Sequence, residues 1–231
     1  MLKILPLVLV IAYSIVLWRF SVWRTRAELD ARSTELADPS LLPVFGRLAA
    51  ALEVPRIPVM LYEIDPVNGL ASPDGRVYLT RGFYRKFRSG EVSDEELASV
   101  VAHELGHVAL GHSRRRAIDF SGQNAVRMVL ATLLGRLLPG IGVWLAGLAT
   151  AAVAARLSRR DEYEADEYAS ALLVKAGIGT GPQKSMFRKL GALTGSGTQT
   201  APAWLLSHPH TDARIAAIEA NEEKWGLSDR R

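Results

Sequence analysis

Five residues, His103-Glu104-Leu105-Gly106-His107, hold the densest chemistry in this chain. Two histidines four apart on a helix lie on one face, a turn from each other, so both imidazoles can reach a single metal ion. Glu104, one position after the first histidine, is rotated by about 100° and can stand beside an open coordination position. That set describes a zinc ion that activates a water and a carboxylate that takes the water's proton. The pattern is short, and two polar residues on a half-buried helix are the plain competing reading. The flanking residues therefore matter as much as the motif.

Those residues predict a helix. Ser93 and Glu96 have the spacing of a capping box, and Leu97, Val100, Val101, Leu105, Val108 and Leu110 recur as an apolar stripe. Gly111 is the expected stop, ahead of Arg114-Arg115-Arg116. A catalytic zinc needs a third protein ligand, and Asp161-Glu162-Tyr163-Glu164-Ala165-Asp166 offers it. Glu162 and Asp166 share a helical face, whereas Glu164 points roughly 200° away from Glu162. Glu162 is thus the expected ligand, with Glu164 as the alternative. Asp166 is expected to accept the second N–H of a zinc-bound histidine. Taken alone, this acidic run would read as a solvated face.

Three segments resemble the HtpX-type membrane-associated zinc metallopeptidases, a group related to the CAAX prenyl endopeptidases and the BepA-like proteases. They are residues 102–107, 158–166 and Ser207-His208-Pro209-His210-Thr211-Asp212-Ala213-Arg214-Ile215. Residues 65–80 also look like the segment that the family carries before its active-site helix, with Asn68-Gly69 where Asn-Ala is commoner. The likeness runs in order over roughly residues 40 to 225. It implies that His103, His107 and Glu162 bind zinc, that Glu104 is the general base, and that Asp166 supports a ligand. It further implies that His208 approaches the metal and that Arg214 acts near the substrate carbonyl. Read without the resemblance, His208-Pro209 is also ordinary turn chemistry at a helix entry, and His210 is a surface residue.

Two apolar regions bear on location. Ile4 to Trp18 is an apolar run between Lys3 and Arg19, with Trp18 and Trp23 as interface anchors, and predicts an N-terminal membrane anchor over 1–23. No small-residue cleavage site follows it, and Arg19, Arg24 and Arg26 predict a cytoplasmic body, with the periplasmic side as the alternative; the expected membrane is a bacterial inner membrane. Leu137 to Ala155 carries no charge, but a single crossing there would put His107 and Glu162 on opposite sides of the bilayer. Pro139-Gly140 instead suggests an apolar helical hairpin over about 121–156, dipping into lipid or packing on the domain.

The expected fold is α+β and mainly helical, a gluzincin-like metallopeptidase domain over 40–231 with a small β-sheet, after a charged juxtamembrane helix over 24–39. Arg76 to Thr80 is the predicted edge strand for an extended peptide. Helices are predicted near 44–52 and 211–225, and a strand near 57–64. The chain has no cysteine, which excludes thiol catalysis and disulfides. Net charge is +4, with basic residues beside apolar segments, which favours a membrane surface over nucleic acid. The expected function is a zinc metalloendopeptidase, one Zn2+ per chain, acting on peptide or protein substrates, and the resemblance implies misfolded membrane proteins among them. The competing reading is a catalytically silent zinc-bearing protein that binds partners at the membrane.

Overall fold

The computed structural model describes residues 26–72, 74–112, 130–193 and 211–227, with isolated positions between 13 and 24 and at 128. Residues 26–31 are helical and lead directly into strand β1 (Ser33–Glu35). Helix α1 (Leu42–Ala51) follows, then strands β2 (Val59–Tyr62), β3 (Gly69–Ala71) and β4 (Val77–Thr80). Helices α2 (Arg81–Arg88), α3 (Asp94–Ala109), α4 (Gly142–Lys175), α5 (Gly181–Leu193) and α6 (Thr211–Lys224) complete the described elements. This is a mainly helical α+β architecture with a small sheet.

The sheet has the order β1-β2-β4-β3. β2 and β4 run parallel, and β1 and β3 flank them antiparallel. Two expectations are corrected here. The charged helix expected over 24–39 stops by residue 32, because Ser33 to Glu35 pair with Met60 to Tyr62 and Leu36 donates to the Val59 carbonyl. The strand expected at the edge, β4, lies inside the sheet with all four residues buried. Val77 and Leu79 enter the main core on one face, while Tyr78 packs with Leu29 and Tyr62 on the other. A strand covered on both faces belongs in the middle of a sheet. β3 holds the edge.

α3 forms for the reasons its sequence states. The Ser93 side chain accepts from the Glu96 N–H at 3.1 Å, and Glu96 Oε2 accepts from the Ser93 N–H at 2.8 Å. Leu97, Val100 and Val101 are buried against Leu48 of α1, Leu79 of the sheet, Leu173 of α4 and Phe187 of α5. Leu110, the last member of the predicted stripe, caps the helix and is exposed, because the helix ends one residue earlier.

α4 supplies the second half of the site and differs most from expectation. Residues 130–137 are helical and 138–141 form a turn, but the second arm of the expected hairpin is no separate element. It continues without a break into the charged half that carries Glu162 and Asp166. Of the charge-free run 137–155, only residues from Gly142 onward are in α4. That helical portion is about 20 Å long, short of a hydrocarbon core of about 30 Å. Among the described residues no helix is long and apolar enough to cross a membrane. The anchor expected over 1–23 lies for the most part outside the described residues, as do residues 121–127.

α3 and α4 touch where the site lies. A β-carbon on Gly106 would stand 3.0 Å from the Ala165 carbonyl oxygen and 3.1 Å from its Cα. Gly106→Val therefore wedges backbone from backbone. It is expected to lower stability by about 3 kcal/mol in a denaturant titration, as overpacking of this kind does.

Candidate metal centre

Because His103 and His107 are one turn apart on α3, both present Nε2 in the same direction, 3.1 Å from each other. Glu162 of α4 faces them, Oε2 lying 3.5 Å from His103 Nε2 and Oε1 lying 3.6 Å from His107 Nε2. Donor atoms about 2.0–2.1 Å from one tetrahedral ion are separated by about 3.3 Å, so these three positions fit a small divalent cation such as zinc. All three residues are buried. Glu164, the alternative ligand, is not in this group; its carboxylate lies against His112 and Arg160.

Behind the first imidazole stands a charged chain. His103 Nδ1 is 2.9 Å from Asp166 Oδ1, the arrangement expected of a ligand-orienting carboxylate. Asp166 is in turn clasped by Arg214 of α6, through Nε at 2.6 Å and Nη2 at 2.7 Å. Arg214 Nη1 is also 3.6 Å from Glu162 Oε2, and its guanidinium lies 4.4 Å from the Phe187 ring centre. The resemblance implied an arginine near the substrate carbonyl. The side chain here is 1 % exposed and sits behind the ligands.

These contacts set the local charges. Burial would push His103 down, but the Asp166 and Glu162 carboxylates outweigh it and raise its pKa from 6.5 to about 9 in the metal-free chain. Burial likewise opposes ionisation of Asp166, yet Arg214 and His103 hold its carboxyl below the usual aspartate range. Two consequences have definite signs. The raised His103 contributes stability to the metal-free fold that is fully present below pH about 6.5 and lost as pH rises through about 9. The proton on His103 Nε2 also competes with a metal ion for the same lone pair. Metal affinity is therefore expected to rise by up to about tenfold per pH unit between 7 and 9, with nearly one proton from His103 released per ion bound at pH 7. Calorimetric titrations in two buffers of different ionisation enthalpy measure that proton.

Glu104, the next residue after His103, is buried, and the edge strand approaches its carboxylate. A β-carbon on Gly69 of β3 would come within 3.5 Å of Glu104 Oε1 and 2.9 Å of Val100 Cγ1. The edge of the sheet thus runs against the candidate base. Sequence reasoning missed this, since the strand that approaches Glu104 is the three-residue β3. It also missed His112, 1 % exposed, with its Nδ1 2.7 Å from His107 Nδ1. His208 and His210 lie outside the described residues.

A buried His-His-Glu triad on two packed helices, with the buried Glu104 carboxylate under a sheet edge, has the donor set of a metallopeptidase-type centre. Comparison with known proteins gives the same class. Peptidase family M48 matches residues 35–222, and the chain belongs to that family. It is 32% identical to the metalloprotease LoiP of Escherichia coli over 133 residues, 58% of this chain and 51% of that protein. It is 32% identical to the metalloprotease YcaL of the same organism over 158 residues, 68% of this chain and 59% of that protein. With the protease HtpX of Hahella chejuensis it shares 25% identity over 235 residues, 85% of this chain and 77% of that one. The chain spans little more than half the length of LoiP and YcaL.

Proposed function

We propose that this chain is a zinc-dependent endopeptidase in which His103, His107 and Glu162 hold the metal and Glu104 is the general base. The observation that carries this reading is the convergence of three buried donor atoms, with Glu104, the next residue after His103, also buried. When bound, zinc supplies a Lewis acid that polarises a carbonyl and lowers the pKa of a water to about 7. Glu104 takes the proton of the attacking water on its carboxylate and returns it to the leaving amine nitrogen. A substrate in extended form adds its backbone along β3, the edge strand that lies over Glu104. Asp166 fixes the His103 tautomer, and Arg214 balances the buried carboxylates of Asp166 and Glu162 rather than meeting the substrate carbonyl. His208 is kept as a candidate that closes or tunes the site.

The cellular reading is that the protein works at a membrane, with peptide or protein substrates that include misfolded membrane proteins. Relatives named proteases support protein substrates, and the exposed Leu137, Val143 and Trp144 beside the turn at 138–141, with the arginines at 136, 156, 159 and 160, support a membrane surface. The anchor over 1–23 and a cytoplasmic body at a bacterial inner membrane remain part of this proposal. Metal analysis of the purified full chain beside a casein-cleavage assay tests its chemistry. One zinc per chain is expected, with cleavage stopped by a chelator and restored by zinc. Cleavage that continues undiminished after zinc removal would overturn it.

A further inference from the structure

We propose that His112 is a positioning residue for His107, forming with Glu164 a hydrogen-bonded chain that fixes the tautomer and ring orientation of the second metal ligand. The proposal rests on the reading of His103, His107 and Glu162 as a metal site.

Nothing in the spacing of His107 and His112 would bring them together on a continuous helix, where residues five apart point about 140° away from each other. α3 stops at Ala109, and Gly111 adopts φ +66°, a left-handed conformation that glycine enters without penalty. The helix breaks there, and the His112 ring is set against that of His107. The two rings meet edge to face, centres 4.9 Å apart at 71°. His112 Nδ1 then lies 2.7 Å from His107 Nδ1, and His112 Nε2 lies 3.3 Å from Glu164 Oε2 and 4.0 Å from Asp161 Oδ1. Arg160 Nε donates to Glu164 Oε1 at 2.7 Å.

The protons in this chain have one consistent arrangement. His107 turns Nε2 toward Glu162 and His103, so with that lone pair on a metal its N–H is at Nδ1. Nδ1–H donates to His112 Nδ1, which must then be a bare acceptor. The His112 proton consequently sits on Nε2, where the Glu164 carboxylate accepts it. Each assignment forces the next. The result mirrors the other ligand, where His103 donates to Asp166 and Arg214 balances the carboxylate. Both imidazoles are thus backed by a carboxylate, and each carboxylate by a guanidinium. In the first chain the carboxylate is reached directly, and in the second through another imidazole.

A cation held by His112, Asp161 and Glu164 is the rival use of the same atoms, which lie within 4.8 Å of one another. The Arg160 ion pair on Glu164 and the short Nδ1–Nδ1 contact favour the hydrogen-bonded chain.

Zinc affinity of the purified full chain, read by competition with a chromophoric chelator, separates the possibilities. His112→Phe keeps an aromatic ring and removes the acceptor. It is expected to weaken zinc binding by about 10–100-fold, the usual cost of losing a group that orients a metal ligand. His112→Asn, whose side-chain oxygen stands near the place of Nδ1, is expected to recover most of that loss, which a purely structural role would not show. Glu164→Leu, at a partly exposed position, is a second variant expected to weaken binding without threatening the fold. Wild-type affinity in both His112→Phe and Glu164→Leu would overturn the proposal. So would two zinc ions per wild-type chain with one lost in His112→Phe, the result expected of the rival cation site. A wild-type chain that binds no zinc would instead remove the metal-site reading itself.

Discussion

Glu104→Gln is expected to retain one zinc per chain and to lose about 10²–10⁴-fold in kcat/KM for peptide cleavage, the usual contribution of a positioned general base. Glutamine matches glutamate in size, so the buried position at the end of the stripe Leu97, Val100, Val101 is filled as before. What disappears is the only function assigned to this side chain, an oxygen able to hold a proton between the attacking water and the leaving nitrogen. None of the three ligand atoms belongs to Glu104, so metal affinity should change by no more than a few-fold. Cleavage rates measured at saturating zinc, with metal content determined on the same samples, check both halves. A variant as active as the wild type would remove Glu104 as the base. A wild type that carries zinc and cuts nothing would favour the competing reading of a silent zinc-bearing binding protein.

Arg214→Met is expected to cost about 3–5 kcal/mol of stability, because it leaves carboxylates buried without their balancing charge. Asp166 is 2 % exposed and Glu162 is 1 % exposed, and the guanidinium reaches both. In a domain of this size that loss corresponds to a melting temperature lower by about 10 °C. Lysine at the same position should recover part of it, since an ammonium keeps the charge but cannot make the paired contacts of Nε and Nη2 with Asp166. Thermal unfolding of the metal-free proteins measures the effect apart from catalysis. An arginine acting at the substrate carbonyl would give the opposite pattern, with activity lost and the melting temperature unchanged.

The sequence made the local half of the site legible and left the long-range half to be found. Helix α3 could be read from Ser93, Glu96 and the apolar stripe, because capping and 3.6-residue periodicity are properties of neighbouring residues. Helical phase favoured Glu162 and left Glu164 as the alternative, and it is the Glu162 carboxylate that faces both imidazoles. β1 and β3 could not, since each is only three residues long and owes its existence to a partner strand. The edge was consequently assigned to β4, whose stronger pattern in fact reflects burial on both faces. α4 was divided at Arg156, where composition turns from apolar to charged. Nothing in residues 148–175 breaks a helix, since neither proline nor glycine occurs there, and the backbone runs on. His112 was invisible for a different reason. Gly111 was legible as a stop, but the direction in which the chain leaves a left-handed glycine depends on what it packs against.

Zinc-edge anomalous diffraction from crystals of the purified chain addresses the assignment at its root. One peak is expected, about 2.0–2.2 Å from the Nε2 atoms of His103 and His107 and from a Glu162 carboxylate oxygen. A zinc-loaded crystal with no density between those three side chains, or with its only peak at His112, Asp161 and Glu164, would contradict it.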